Sequence, residues 1–234
     1  GVSGTSFSAP TVSGVVGLMY EANADLGYRD VQEILALASR TANQTTFQTN
    51  GSTHWNGGGM HFSHDYGFGL IDAYAAVRLA ETWGEQKTYA NMQTVTQAID
   101  TTGAIADNGV TDFTFTVSSD LSIEHIQLDL NLSHSKAGDL KITLISPDGT
   151  ESYLVDTLDF GSYVTDPSGF AGINAPLTSV AHWGEHAQGT WTLRVEDVVS
   201  GNTGAINSAN LTFMGSTVST DDTYYFTDEF AGGT

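Results

Sequence analysis

Cysteine is absent from this 234-residue chain, so no disulfide framework holds it and none is needed. Basic residues are scarce. Lys and Arg number 7 against 27 Asp and Glu, a net charge of −20. That balance argues against nucleic acid or an anionic membrane as a partner. It suits a secreted protein, a salty medium or cation binding, and solubility alone accounts for it without any specific acidic site. No run of about 18 apolar residues occurs, so no spanning helix is expected. No signal peptide is visible and the first residue is Gly1, so the chain is expected to be a piece of something longer. Hydrophobic residues still make up 40% of it, enough for the core of one large domain or two modest ones.

What is present is concentrated at the start. Gly4-Thr5-Ser6-Phe7-Ser8-Ala9-Pro10 leads straight into an almost wholly apolar stretch. A serine at the mouth of a buried helix is well placed to be a nucleophile. Its hydroxyl can face a cleft, while the unpaired N–H groups and partial positive charge of the helix start can meet a developing oxyanion. Ser, Thr and Pro before a helix are also ordinary capping residues, and Pro10 suits a first helical turn. Capping accounts for one hydroxyl, not for the whole spaced pattern.

Residues 10–22 are apolar or small on all sides, which predicts a buried helix. Tyr28 to Ser39 reads as an amphipathic helix with Val31, Ile34, Leu35 and Ala38 on one stripe. Residues 41–69 are polar and rich in Gly, Asn, Thr and His, an irregular connection with short strands at most. Asp72 is placed to cap a helix from Ala73 to Trp83 that turns Ala76, Val77, Leu79 and Ala80 inward. His54, His61 and His64 can be imagined as metal ligands. No cysteine accompanies them, and exposed or hydrogen-bonded histidines are the plainer reading.

The pattern changes after Trp83. Residues 85–93 read as a linker, and period-two runs follow: Phe113, Phe115 and Val117; Ile126 to Leu132; Leu140 to Leu144; Trp191, Leu193 and Val195; Leu211 and Phe213. Alternation broken by Gly, Asn, Asp and Pro turns predicts an antiparallel sandwich, with Pro147-Asp148-Gly149-Thr150 as one such turn. Trp191 belongs in its core rather than on a sugar-stacking surface.

The segment GTSFSAP resembles the nucleophile motif of subtilisin-like serine proteases. The continuation GVVGLMYEANADLGYRDVQEILALASR and the run from Ser63 to Ala73 resemble the kexin and furin branch. LDLNLSHSKAGDLKITLISPDGT and AHWGEHAQGTWTLRVEDVVSGNTGAINSANLTFMG resemble the P domain that follows the protease in that branch. The resemblance implies an α/β subtilisin-like fragment, mainly helical here, and then an all-β jelly-roll-like antiparallel sandwich. Residues 1–84 would be the C-terminal part of the peptidase domain, 94–216 the P domain, and 217–234 an acidic tail or the start of a further module.

By the same resemblance Ser6 is the nucleophile, while Ser8 and Pro10 shape the helix entrance. In that family the order along the chain is Asp, His, Asn and then Ser. The other members would stand upstream, making the missing front of the catalytic domain a required partner, and these residues alone are expected to be inactive. The implied function is hydrolysis of protein or peptide substrates by a secreted enzyme, with a P domain that stabilises the catalytic domain. The alternative is a β-sandwich binding or adhesion module on an inactive protease remnant. The resemblance implies calcium for the longer enzyme. Asp139, Asp148, Asp156, Asp159, Asp166 and Asp197 are loop carboxylates of the kind calcium takes, but no spacing joins them into a site. The lack of disulfides leans toward a bacterial source.

Overall fold

The protein is described by a computed structural model over residues 4–41, 45–52, 59–84, 86–157 and 171–217. These residues fall into two compact units. One runs up to Thr49 and resumes over Met60–Met92; the other comprises Asn50–Gly59 and the chain from Gln93 onward. Asn43, His54, Asp159, Asp166 and the stretch 218–234 lie outside the described residues.

The first unit is built on three helices, α1 (Thr5–Ala22), α2 (Tyr28–Leu37) and α3 (Ala73–Thr82). The polar connection holds only two-residue strands: β1 (Ser39–Arg40), β2 (Gln48–Thr49), β3 (His61–Phe62) and β4 (Leu70–Ile71). β1 pairs with β4 and β2 with β3, both antiparallel. The core gathers Val15 and Met19 of α1, Val31 and Ile34 of α2, and Ala76, Leu79 and Ala80 of α3, closed by Leu26, Ala38 and Trp83. Asp72 caps α3 as expected, its Oδ1 accepting from the Ala75 amide at 3.1 Å. Val77 is half-buried rather than turned fully inward. Asn23 finishes α1 and binds the far end of α3, donating through Nδ2 to the carbonyls of Ala80 and Trp83, each at 3.0 Å.

Two expectations are corrected here. Helix α1 starts at Thr5, not near Pro10, so the proline sits inside the helix and removes the bond its amide would have given to the Ser6 carbonyl. Nor is α1 buried on every face. Leu18 is 50% exposed and Phe7 56%, because the described residues pack only the side that carries Val15 and Met19. An apolar sequence reports what a helix is made to contact, not what this chain supplies.

The residues read as a linker are instead held by α2. Asp30 is fully buried, and its Oδ2 accepts from the amides of Gly27 at 2.7 Å and Lys87 at 2.8 Å. Arg29 is buried beside it and donates to the Thr88 carbonyl at 2.8 Å and to Asn91 Oδ1 at 3.0 Å. Lys87 Nζ reaches Glu33 Oε2 at 2.6 Å. The Lys87 carbonyl passes so close to Gly27 that a Cβ there would lie 1.9 Å from its oxygen, so only glycine fits.

The second unit is an antiparallel sandwich of β5 (Gln93–Ile99), β6 (Ala104–Ile105), β7 (Val110–Val117), β8 (Ser122–His134), β9 (Leu140–Ile145), β10 (Glu151–Val155), β11 (Gly172–Ser179), β12 (Gly189–Asp197) and β13 (Gly204–Ser216). One sheet has the order β10-β9-β12-β7; the other is β11-β8-β13-β5, with β6 also on β13. The predicted alternation holds. Phe113, Phe115, Val117, Ile126, Leu128, Leu130, Leu132, Leu140, Ile142, Leu144, Leu193, Val195, Leu211 and Phe213 all point into one core. Trp191 is fully buried at its centre, donating through Nε1 to the Ala187 carbonyl at 2.9 Å and packing on Phe213 with ring centroids 5.0 Å apart. Strands β5 and β11 carry few inward apolar residues, and Pro176 lies in β11, as an edge strand permits.

His182 lies edge-on to Trp191 with centroids 5.1 Å apart. Neither of its ring nitrogens has a hydrogen-bond partner among the described residues, and burial pushes its pKa down from 6.5 to about 3. The imidazole is therefore neutral in the folded chain and gains its proton only on unfolding. This contribution to stability is intact above pH 6.5 and is lost as pH falls from there toward about 3. We predict a loss of ~3 kcal/mol by a pH of about 4.5. Urea titration of the sandwich at several pH values checks it, and His182→Leu flattens the dependence. In the first unit, Asp30→Ala leaves two buried amides without an acceptor and costs about 3 kcal/mol, read from urea unfolding of the helical signal.

Candidate functional site

Gly4 is the N-cap of α1, and its carbonyl accepts from the Phe7 amide at 3.0 Å. No side chain caps this helix. The capping role open to Ser6 and Ser8 is therefore not taken up, and both residues lie within the first helical turn, exposed to solvent. The Ser6 hydroxyl has no hydrogen-bond partner among the described residues. Thr11 and Ser13, further along, turn their hydroxyls back onto the helix, bonding the carbonyls of Phe7 at 3.0 Å and Ala9 at 3.1 Å. Ser6, like Ser8, thus differs from Thr11 and Ser13 in having its oxygen open, and Ser6 is the nearer to the helix start. There the leading amides have no intrahelical acceptor and the helix presents its positive end.

A serine hydroxyl needs a base to become nucleophilic near neutral pH. No imidazole or carboxylate among the described residues bonds to Ser6. In the first unit, His61 holds Phe68 through Nε2 and the Phe68 carbonyl, 2.9 Å apart, and stands edge-on to Phe47. His64 packs edge-on against Phe62. In the second unit, buried His134 accepts from the Lys136 amide at Nδ1, 3.2 Å away, so its other nitrogen carries the proton and faces Asp197 Oδ2 at 3.3 Å. That pair is sealed, with both side chains fully buried.

The loop carboxylates do not converge. Asp139 accepts from Asn202 Nδ2 at 3.0 Å, Asp156 lies 3.8 Å from Lys141 Nζ, and Asp197 accepts from the Val199 amide at 3.0 Å besides facing His134. Asp148 stands at the other end of β9 from Asp139. Its carboxyl is raised above the ordinary range by burial first and by the charge of Glu185 second. Among the described residues no three His, Asp or Glu side chains are grouped to hold a metal ion. Sequence reading missed Asn50, Thr150 and Glu185, a buried polar group of the second unit. Its only sequence signal is an Asn-Gly pair inside a polar stretch.

The Subtilase family matches residues 1–69, and the Proprotein convertase P-domain matches residues 123–213. Proprotein convertase subtilisin/kexin type 6 of Rattus norvegicus is 37% identical over 210 residues, covering 86% of this chain and 21% of that protein. Endoprotease bli-4 of Caenorhabditis elegans is 36% identical over 210 residues, covering 85% of this chain and 21% of that protein. Among solved structures, a serine protease of Aeromonas sobria superposes with a TM-score of 0.73 at 27% identity, covering 92% of this chain and 44% of that one. The chain thus spans about a fifth of the length of these curated relatives. They come from animals and lend no support to a bacterial source. No helix among the described residues is long and apolar enough to cross a membrane. With both matches in the order that the motifs implied, the chain belongs with the subtilisin-like serine proteases of the kexin and furin branch, carrying a subtilase segment and a proprotein convertase P domain.

Proposed function

We propose that this chain is part of a secreted serine endopeptidase that hydrolyses peptide bonds through Ser6, with a P domain that stabilises the catalytic domain. Residues 1–84 are read as the C-terminal part of the peptidase domain and 94–216 as the P domain. The observation that carries the reading is the open Ser6 hydroxyl at the head of α1, inside the stretch matched to the Subtilase family. The uncovered apolar side of α1 supports it too. A helix apolar all round belongs to a larger core, and the chain covers 44% of the solved protease it resembles. Sandwich order also supports a jelly-roll-like topology, since β9 and β10 are the only sequential neighbours that pair among these strands.

In the longer enzyme, Ser6 attacks the scissile carbonyl, a histidine takes its proton and an aspartate orients that histidine. The Ser6 amide and an asparagine side chain hold the oxyanion, the former aided by the helix's positive end. Substrates are proteins or peptides, and the acidic surface accords with export and with no nucleic-acid partner.

Two outcomes test this. A fluorophosphonate probe labels Ser6 in the longer enzyme but not in this chain alone, which holds no base at the serine. Ser6→Ala in the longer enzyme abolishes labelling and lowers kcat roughly 10⁶-fold with the fold intact; labelling that survives the substitution overturns the assignment. Calcium is proposed for the longer enzyme, with no site assigned in this chain. A chelator should lower the Tm of the longer enzyme, and the same melt on this chain alone decides whether these residues hold calcium.

A further inference from the structure

Residues 50–52 lie within the stretch matched to the Subtilase family, yet they fold into the sandwich unit. Their attachment is specific. Asn50 is 5% exposed, and its Nδ2 donates to the carbonyls of Ala181 at 2.9 Å and Trp183 at 2.8 Å. Its Oδ1 accepts from the Ser52 amide at 3.2 Å, which sets the local turn. The Gly51 amide points at Glu185, 2.7 Å from Oε1, and also at Thr150 Oγ1, 3.1 Å away. Thr150 in turn donates its hydroxyl proton to the same carboxylate oxygen. Asp148 covers Gly51 so closely that a Cβ at that position would stand 2.2 Å from its Cβ.

The receiving side is rigid. The turn carrying Trp183 and Glu185 is tied to β8, Gly184 donating to the Ile123 carbonyl at 2.7 Å and Ile123 to the Glu185 carbonyl at 2.9 Å. Glu185 is 1% exposed, and its second oxygen has no partner among the described residues. A carboxylate taken out of water needs hydrogen-bond donors, and here one of its donors is the Gly51 amide, more than a hundred positions away in sequence. Two turn carbonyls depend on Asn50 in the same way.

We propose that the 181–185 turn, with Asp148 and Thr150, is a receptor for the Asn50-Gly51 segment, and that this clip makes the stability of the subtilase segment depend on the sandwich. The receptor takes a bent Asn-Gly segment, a short side-chain amide with two donor hydrogens followed by a donor amide without a Cβ. The inference deepens the stabiliser reading and rests on it. It does not depend on Ser6 being catalytic.

Hydrogen exchange on the whole chain tests it. Asn50→Ala, Gly51→Ala and Glu185→Ala should each lower protection of the 50–52 amides at least about tenfold and, with them, protection of α2 and α3, where no residue was changed. Amides of β9 and β12 should keep most of their protection. Should Gly51→Ala leave no folded chain, Thr150→Val removes one hydroxyl and should show the same pattern at about threefold. Unchanged protection of α2 and α3 in variants that have freed the 50–52 amides overturns the clip. If removing the sandwich from the longer enzyme still lowers its Tm in that case, the stabiliser reading survives without the clip. If the 50–52 amides stay protected in Glu185→Ala and Asn50→Ala, the receptor itself is wrong.

Discussion

A polar group taken out of water must be hydrogen-bonded, and in this chain the partners come from far along the sequence. Asp30 holds the amide of Lys87, Arg29 holds the carbonyl of Thr88, and Asn23 holds the last carbonyls of α3. In the sandwich unit Asn50 and Gly51 do the same for the turn that ends at Glu185. Apolar burial supplies most of the driving force in each unit, but it is tolerant of position. The buried hydrogen bonds are not tolerant, and they fix which stretches of chain must be in place together.

Helix α1 is less constrained. Helix α1 is held on one side only, through Val15 and Met19, and its start is free of side-chain caps. With Gly4 rather than a hydroxyl or carboxamide residue at the cap position, the helix start forgoes roughly 0.3 kcal/mol, and Ser6 stands where the helix is electropositive. The proline two residues beyond Ser8 weakens the same turn by withholding an amide from the Ser6 carbonyl. The head of α1 is thus held by fewer interactions than a capped, proline-free start would have.

The sandwich carries the opposite bias. Its core is continuous from Ile99 to Phe213, with Trp191 at the centre, and its polar interior is either bonded, as in Trp191 Nε1, or kept neutral, as in His182. A neutral buried imidazole avoids the cost of a buried charge near neutral pH and becomes a liability in acid. The buried His134–Asp197 pair sits at the other end of the same body, sealed from solvent.

Much of this was legible in the residues themselves. Period-two alternation located Phe113 to Val117, Ile126 to Leu132 and Trp191 to Val195 inside a sandwich, because side chains on a strand alternate faces whatever lies beyond the sheet. Asp72 announced the start of α3, because capping is local. Tertiary structure alone decided the rest. Apolar residues on every side of α1 could not reveal that Leu18 would stay uncovered, since burial depends on what else is present to pack. The polar run after Trp83 looked like a linker until Asp30 and Arg29 claimed it, and Asn50-Gly51 looked like an ordinary turn until Glu185 did. Periodicity records which way a side chain faces; it carries no trace of which distant donor or acceptor will meet it.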